Sequence, residues 1–366
     1  MIRTTLLSAA IFLLASPSSA HSQDGPPGPP PPSPPALTAQ MPDPARAETL
    51  AGWFAGLNRA SEFDGVVLLA HNGREIFAGA YGLADREHNR AWNVETRFAL
   101  ASIGKVFTAI AVAQLEQQGR LHGSDSIAQL IPDYPNIVTR TATIDQLLNM
   151  RGGIADIFSP AFADAPKEQF RSNADYYRFI SQQPPMFTPG EREEYCNGCY
   201  VVLGEIIARV SGMSYEDYIA RNILTPAAMM HSGFFRRDHL PENTAIFYGS
   251  PQGPGTPLVD VSQFHGVAGS AAGNIYSTAR DLLLLDNALR EHRLLNAEMT
   301  TQVLHGQPET GRSTRRIGFA GGAQGVNTIL HGNGEWTLII LANREPPTAE
   351  AADQAVFPLL AGPPPA

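Results

Sequence analysis

The apolar residues of this chain fall into runs of two kinds, and the change from one to the other marks its elements. A helix is predicted over 47–59, followed by two β-rich runs at 65–70 and 75–81 joined by His71-Asn72-Gly73. Asn-Gly between such runs predicts a two-residue hairpin, because both residues tolerate positive φ. The apolar segment 106–113 predicts the next helix, ending near Gly119. The pattern then becomes helical with Pro and Gly punctuation, giving candidates at 144–150, 176–182, 200–210, 215–224 and 278–289. Strands return at 316–320, 326–330 and 336–342, and a last helix is predicted over 349–360. Strands at both ends imply an α/β (α+β) fold. Its antiparallel sheet would be built from the two chain ends, flanked by helices, with an all-helical lobe inserted over roughly 120–270.

The first 46 residues follow neither pattern. Arg3, the apolar run 6–14 and Ser18-Ser19-Ala20 read as a signal peptide over 1–20, its core too short to span a bilayer. Residues 21–46 hold ten prolines and almost nothing apolar, so this stretch is expected to be a disordered linker. The folded domain is then expected over 47–362, in a protein that is exported to a periplasm or secreted. No later stretch is long and apolar enough to span a membrane.

Composition narrows the partners. With 43% apolar and 17% charged residues the chain reads as globular, and a net charge of -9 argues against nucleic acid and anionic membrane surfaces. Nucleophile elbow, zinc-protease, phosphate-loop and dinucleotide motifs are all absent. Histidines are dispersed; His265, His305 and His331 read as loop or packing residues, with cleft lining as the alternative for His265.

Two short constellations carry chemistry. In Ser102-Ile103-Gly104-Lys105, at the start of the apolar helix, the hydroxyl and the amine fall one helical turn apart. A desolvated amine can take the proton of a serine hydroxyl, and the helix start offers N–H groups to an oxyanion. In Tyr195-Cys196-Asn197, just before another helical run, a phenol and an amide can point to one side of a loop. A phenol beside an ammonium can serve as a base, and the amide can orient a carbonyl or the lysine. The chain's two cysteines, Cys196 and Cys199, flank this motif; a disulfide is expected, over redox-motif and metal-pair readings that lack their usual context.

Taken together these segments resemble the serine β-lactamase and penicillin-binding family, in particular its branch of class C β-lactamases, D-alanyl-D-alanine carboxypeptidases and related esterases. The resemblance covers about 50–345 and includes FDGVVLLAHNG, SIGK, TIDQLLNMRGGIADI, FTPGEREEYCNGCYVVLGEII, LTPAAMMHSGF and AAGNIYSTARDLLLL. It implies that Ser102 is the acylated nucleophile, Lys105 its proton partner and Tyr195 the base, with Asn197 contacting substrate or Lys105. It implies no metal or organic cofactor, and a small acyl compound as the partner.

The third motif departs from the family. Relatives carry Lys-Thr-Gly or His-x-Gly there, whereas this chain aligns Phe319-Ala320-Gly321-Gly322. The glycines still allow close backbone approach, so Phe319, Gly321 and Gly322 are taken as substrate-binding positions, with the Gly322 N–H as an oxyanion donor. The cation is gone, and Arg315, about 13 Å from Phe319 along a strand, is no simple replacement. The expected function is therefore an acyl-serine hydrolase acting on an ester or amide without the usual recognised carboxylate. The alternatives are a weak or inactive penicillin-binding-like scaffold and, third, a true β-lactamase or D-Ala-D-Ala carboxypeptidase. The His-Thr-Ser-Gly segment of relatives is also altered, to Asn149-Met150-Arg151-Gly152-Gly153.

Overall fold

The computed structural model describes residues 30–38, 40–253, 256–305 and 318–361. The segment read as a signal peptide, the first part of the linker, Arg315 and Arg316 lie outside these residues. Chain from 30 onward has no regular structure until α1, Asp43–Arg59, which starts inside the stretch expected to be linker. Leu37 there is buried, packed with Leu50, Trp53 and Phe54 of α1, so this end of the linker is attached to the domain. One leucine among many prolines gave too small an apolar signal to show that contact.

Five strands form one antiparallel sheet: β1 (Gly65–His71), β2 (Arg74–Tyr81), β3 (Gly318–Ala323), β4 (Val326–Gly332) and β5 (Trp336–Ala342). Their spatial order is β2-β1-β5-β4-β3, so the two chain ends meet where β1 pairs with β5. The hairpin forms as expected, with Asn72 at φ 49° and Gly73 at φ 75°. Side chains alternate across the sheet. Val66, Leu68, Ile339 and Leu341 face the large core shared with the helical lobe; Val67, Leu69, Leu338 and Ile340 face a smaller core. That smaller core is closed by α1 and by the C-terminal helix Thr348–Ala361. Both faces are covered, which is why β1 and β5 read as continuous apolar runs.

The first two positions of the strand expected at 316–320 lie outside the described residues; from Gly318 the strand continues past its expected end, to Ala323. Gly321 and Gly322 look like chain breakers, yet they pair with Thr328 and Asn327 of β4, and the turn comes at Gln324-Gly325. On the lobe side, α2 (Lys105–Gln117) buries Val106, Phe107, Ile110, Ala111, Val112 and Leu115. It is apolar on nearly every face because it runs through the core. Against it packs α3, Asn197–Ser211, ended by Gly212 in the left-handed conformation. Among the described residues no helix is long and apolar enough to cross a membrane.

Candidate active site

Ser102 lies in the 3-10 turn Ala101–Gly104 that runs into α2. The turn is tied down from three directions. Leu100 N–H donates to the Ile275 carbonyl (2.9 Å), Asn274 N–H to the Ala101 carbonyl (3.1 Å), and Thr328 Oγ1 to the Leu100 carbonyl (2.9 Å). Ala101 takes φ 45°, a conformation that costs a non-glycine residue about 1 kcal/mol or more and persists only when its surroundings enforce it. The third-motif strand helps to enforce it. A Cβ on Gly321 would lie 2.3 Å from the Leu100 carbonyl, so only glycine lets β3 approach the turn this closely.

Lys105 is buried, and its Nζ meets three oxygens: Ser102 Oγ at 3.0 Å, Asn197 Oδ1 at 2.7 Å and the Ala272 carbonyl at 2.6 Å. An ammonium has three donors, and each has an acceptor here. A neutral amine would donate to the Asn197 and Ala272 oxygens and accept the Ser102 hydroxyl proton, so the same three contacts also suit the expected transfer of the serine proton to Lys105. With Oγ accepting from Lys105, the Ser102 hydroxyl can donate to the Tyr195 oxygen, 2.5 Å away. Tyr195 is 43% exposed, open to an incoming substrate, and its ring centre lies 4.9 Å from Nζ.

Asn197 is fixed from behind. Asp156 accepts from its backbone N–H (2.7 Å) and from Nδ2 (3.0 and 3.2 Å), which leaves Oδ1 facing Lys105. Cys196, which caps α3, is bonded to Cys199, and both are fully buried. Gly152 makes room for this bridge: a Cβ there would lie 2.9 Å from Cys199 Sγ.

The cavity beside Ser102 holds about 50 Å³. Ile157 and Phe158 border it, with Asn274 and, from β3, Gly322 and Ala323; no lining residue is charged. Phe158 is 69% exposed at its mouth. Asn274 Oδ1 is buried without a hydrogen-bond partner among the described residues. Tyr176 also lines the cavity, but burial pushes its phenol far above the usual range and its hydroxyl donates to the Ala268 carbonyl at 3.0 Å. Tyr195 is the phenol available for proton transfer.

Other candidates fall elsewhere. Phe319 is half-buried against the large core and Gly321 faces the Ala101 turn, so of the three third-motif positions only Gly322 borders the cavity. His265 stacks on Phe247 with Nε2 2.8 Å from the Gln324 carbonyl, and burial lowers its tendency to protonate; it does not line the cavity. His331 stacks on Phe357 and pairs with Asp353, on the sheet face away from Ser102. Sequence reasoning missed Asp156 and Asn274. Both are ordinary loop residues whose distant partners no local spacing announces.

Comparison with known proteins gives the family and the fold. Residues 50–362 match the family model described as Beta-lactamase. Penicillin-binding protein 4* of Bacillus subtilis (strain 168) is 29% identical over 329 residues, covering 81% of this chain and 71% of that protein. A penicillin-binding protein from Bacillus halodurans superposes with a TM-score of 0.71 at 25% identity, over 81% of this chain and 97% of that one. A D-amino acid amidase from Ochrobactrum anthropi SV3 gives a TM-score of 0.71 at 22% identity, over 87% and 98%, a likeness of fold. Coverage of curated relatives varies: the matches span 56%, 71% and 40% of the length of three of them. With a family match over most of its length, the chain belongs to the beta-lactamase family, and its fold is shared by a penicillin-binding protein, a D-amino acid amidase and a hydrolase with promiscuous acyltransferase activity.

Proposed function

We propose that this protein is an exported serine hydrolase that cleaves an uncharged ester or amide through an acyl-serine intermediate. The observation that carries this reading is the continuous chain from Asn197 through Lys105 and Ser102 to Tyr195, each link 3.0 Å or shorter. Tyr195, as phenolate, takes the Ser102 proton while Oγ attacks the substrate carbonyl. The ammonium of Lys105 offsets the negative charge that passes between the two oxygens. The Ser102 and Gly322 N–H groups are the proposed donors to the oxyanion. Tyr195 then gives its proton to the leaving oxygen or nitrogen, and the same steps with water in place of Ser102 release the acid.

The uncharged lining of the cavity supports a substrate whose recognition needs no carboxylate. The small volume fits a short acyl group. Phe319 in place of the family's cation favours a second reading, a protein that binds such compounds without turnover. Export rests on the sequence of residues 1–20 alone.

Intact mass after a short-chain p-nitrophenyl ester, a fluorophosphonate and a chromogenic cephalosporin decides between these. Ester turnover and a fluorophosphonate adduct, both lost in Ser102→Ala, are expected, with little cephalosporin cleavage. Folded protein that reacts with neither the ester nor the fluorophosphonate would leave the binding reading.

A further inference from the structure

We infer that Asp156 is a positioning residue that fixes the Asn197 amide toward Lys105. This rests on the proposed acyl-serine site but is tested independently of turnover. Asp156 lies in the loop after Gly153, far in sequence from the residues it serves. Its Oδ2 accepts from Asn197 N–H at 2.7 Å and from Nδ2 at 3.2 Å; its Oδ1 accepts from the same Nδ2 at 3.0 Å and from Phe158 N–H at 2.8 Å.

The consequence for Asn197 is a question of donors and acceptors. A side-chain amide has one oxygen and one NH₂, and here one end faces a carboxylate and the other an ammonium. Only one orientation satisfies both. Turned over, the amide would place its NH₂ against Nζ and its oxygen against the carboxylate, two repulsive contacts in a buried site. Asp156 therefore selects the orientation that accepts from Lys105 at 2.7 Å.

Among the described residues Asp156 has no ion pair; N–H donors meet its charge, and Lys105 stands on the far side of the Asn197 amide. The Asp156 bond to Phe158 N–H adds a mechanical link: the same carboxylate holds the loop whose Phe158 borders the cavity mouth.

The chain contains two lysines, Lys105 and Lys167, so isotope-labelled lysine gives two resolvable signals, with Lys167 as the internal reference. Asp156→Asn is expected to move the Lys105 side-chain signal, as the Asn197 oxygen is no longer held against Nζ, while the Lys167 signal stays in place. Asp156→Glu keeps the charge one methylene out of position. It is expected to lose kcat on the p-nitrophenyl ester at least tenfold with KM little changed. A Lys105 signal unmoved in folded Asp156→Asn, or full kcat in Asp156→Glu, overturns the positioning. A protein with no ester turnover at all would refute the hydrolase reading, while the Lys105 signal would still decide the role of Asp156.

Discussion

Thr328, on the central part of β4, donates its hydroxyl to the carbonyl of Leu100, two residues before Ser102 and 228 positions away in the chain. The sheet edge that would bind substrate and the turn that carries the proposed nucleophile are joined by this bond. Thr328→Val keeps the shape and removes the donor. Because the Leu100 carbonyl also accepts from Ile103 N–H at 3.2 Å, the stability loss should be about 1 kcal/mol, read from urea unfolding. The larger effect should fall on turnover, with kcat reduced severalfold as the strained Ala101 relaxes. An unaffected kcat would separate the two.

Tyr195 and Lys105 should fail in different ways when removed. Tyr195→Phe deletes the oxygen 2.5 Å from Ser102 and leaves an exposed ring in place, so the fold should be undisturbed. Ester kcat is expected to fall roughly 100- to 10,000-fold with KM nearly constant. Lys105→Ala instead empties a buried position and strands two acceptors, the Asn197 and Ala272 oxygens. Loss of both stability and turnover is expected there, with a lower thermal midpoint as the distinguishing measurement. Equal stability losses in the two variants would contradict this division.

What the sequence made legible were the parts built from local pattern. The β1–β2 hairpin announces itself in Asn72-Gly73, the nucleophile helix in the apolar run after Lys105, and the Ser102 and Tyr195 motifs in their spacing. What it hid depends on contacts between distant segments. Gly321 looks like a break in a strand until the Leu100 carbonyl is found against it. Gly152 looks like a decayed motif until Cys199 is found to need the space. Asp156 has no pattern around it, because its partner Asn197 is 41 positions on. The buried end of the linker at Leu37 was equally hidden, since a single leucine carries no period.

Phe319 gives the sharpest test of specificity. By the family resemblance it aligns with the position expected to carry Lys or His, and in this chain its ring is half-buried against the large core. Phe319→His should restore a cation-capable group on the face of β3 that meets the Ala101 turn. Reactivity toward carboxylate-bearing substrates, measured as acylation by a chromogenic cephalosporin, is expected to rise, with a modest cost in stability from the lost packing. No gain in a folded variant would mean that the phenyl ring is not what limits recognition of the anion.

The disulfide encloses Asn197 and closes so small a loop that its chain-entropy contribution to stability is about 2 kcal/mol or less. Its effect on the site should be larger than its effect on the fold. Changing Cys196 and Cys199 together to serine is expected to lower the thermal midpoint by a few degrees and to lower kcat by more than tenfold. The Asn197 amide would lose the turn that aims it. Thiol counting on oxidised, unfolded protein provides the companion measurement, and two free thiols would rule the bridge out.

Glu216 offers a test of the lobe that leaves the site alone. Its Oε1 accepts from Asn173 N–H at 2.7 Å, and Asn173 in turn bonds Val201 of α3 and Ala271 beside the site. Burial raises the Glu216 carboxyl above its ordinary value of 4.5, with Asp217 and Asp175 adding to the effect and the Asn173 N–H opposing it. A carboxyl raised on folding binds its proton more tightly in the folded state, so stability falls as pH rises from 4.5 through the folded value and stays lower above it. Glu216→Gln keeps the acceptor for Asn173 and removes the ionisation. It should therefore unfold at higher urea than the parent at pH 7, by an amount that shrinks to nothing well below pH 4.5, where both side chains are neutral. A difference that is the same at both ends of that range would show that shape, rather than the buried charge, separates the two proteins.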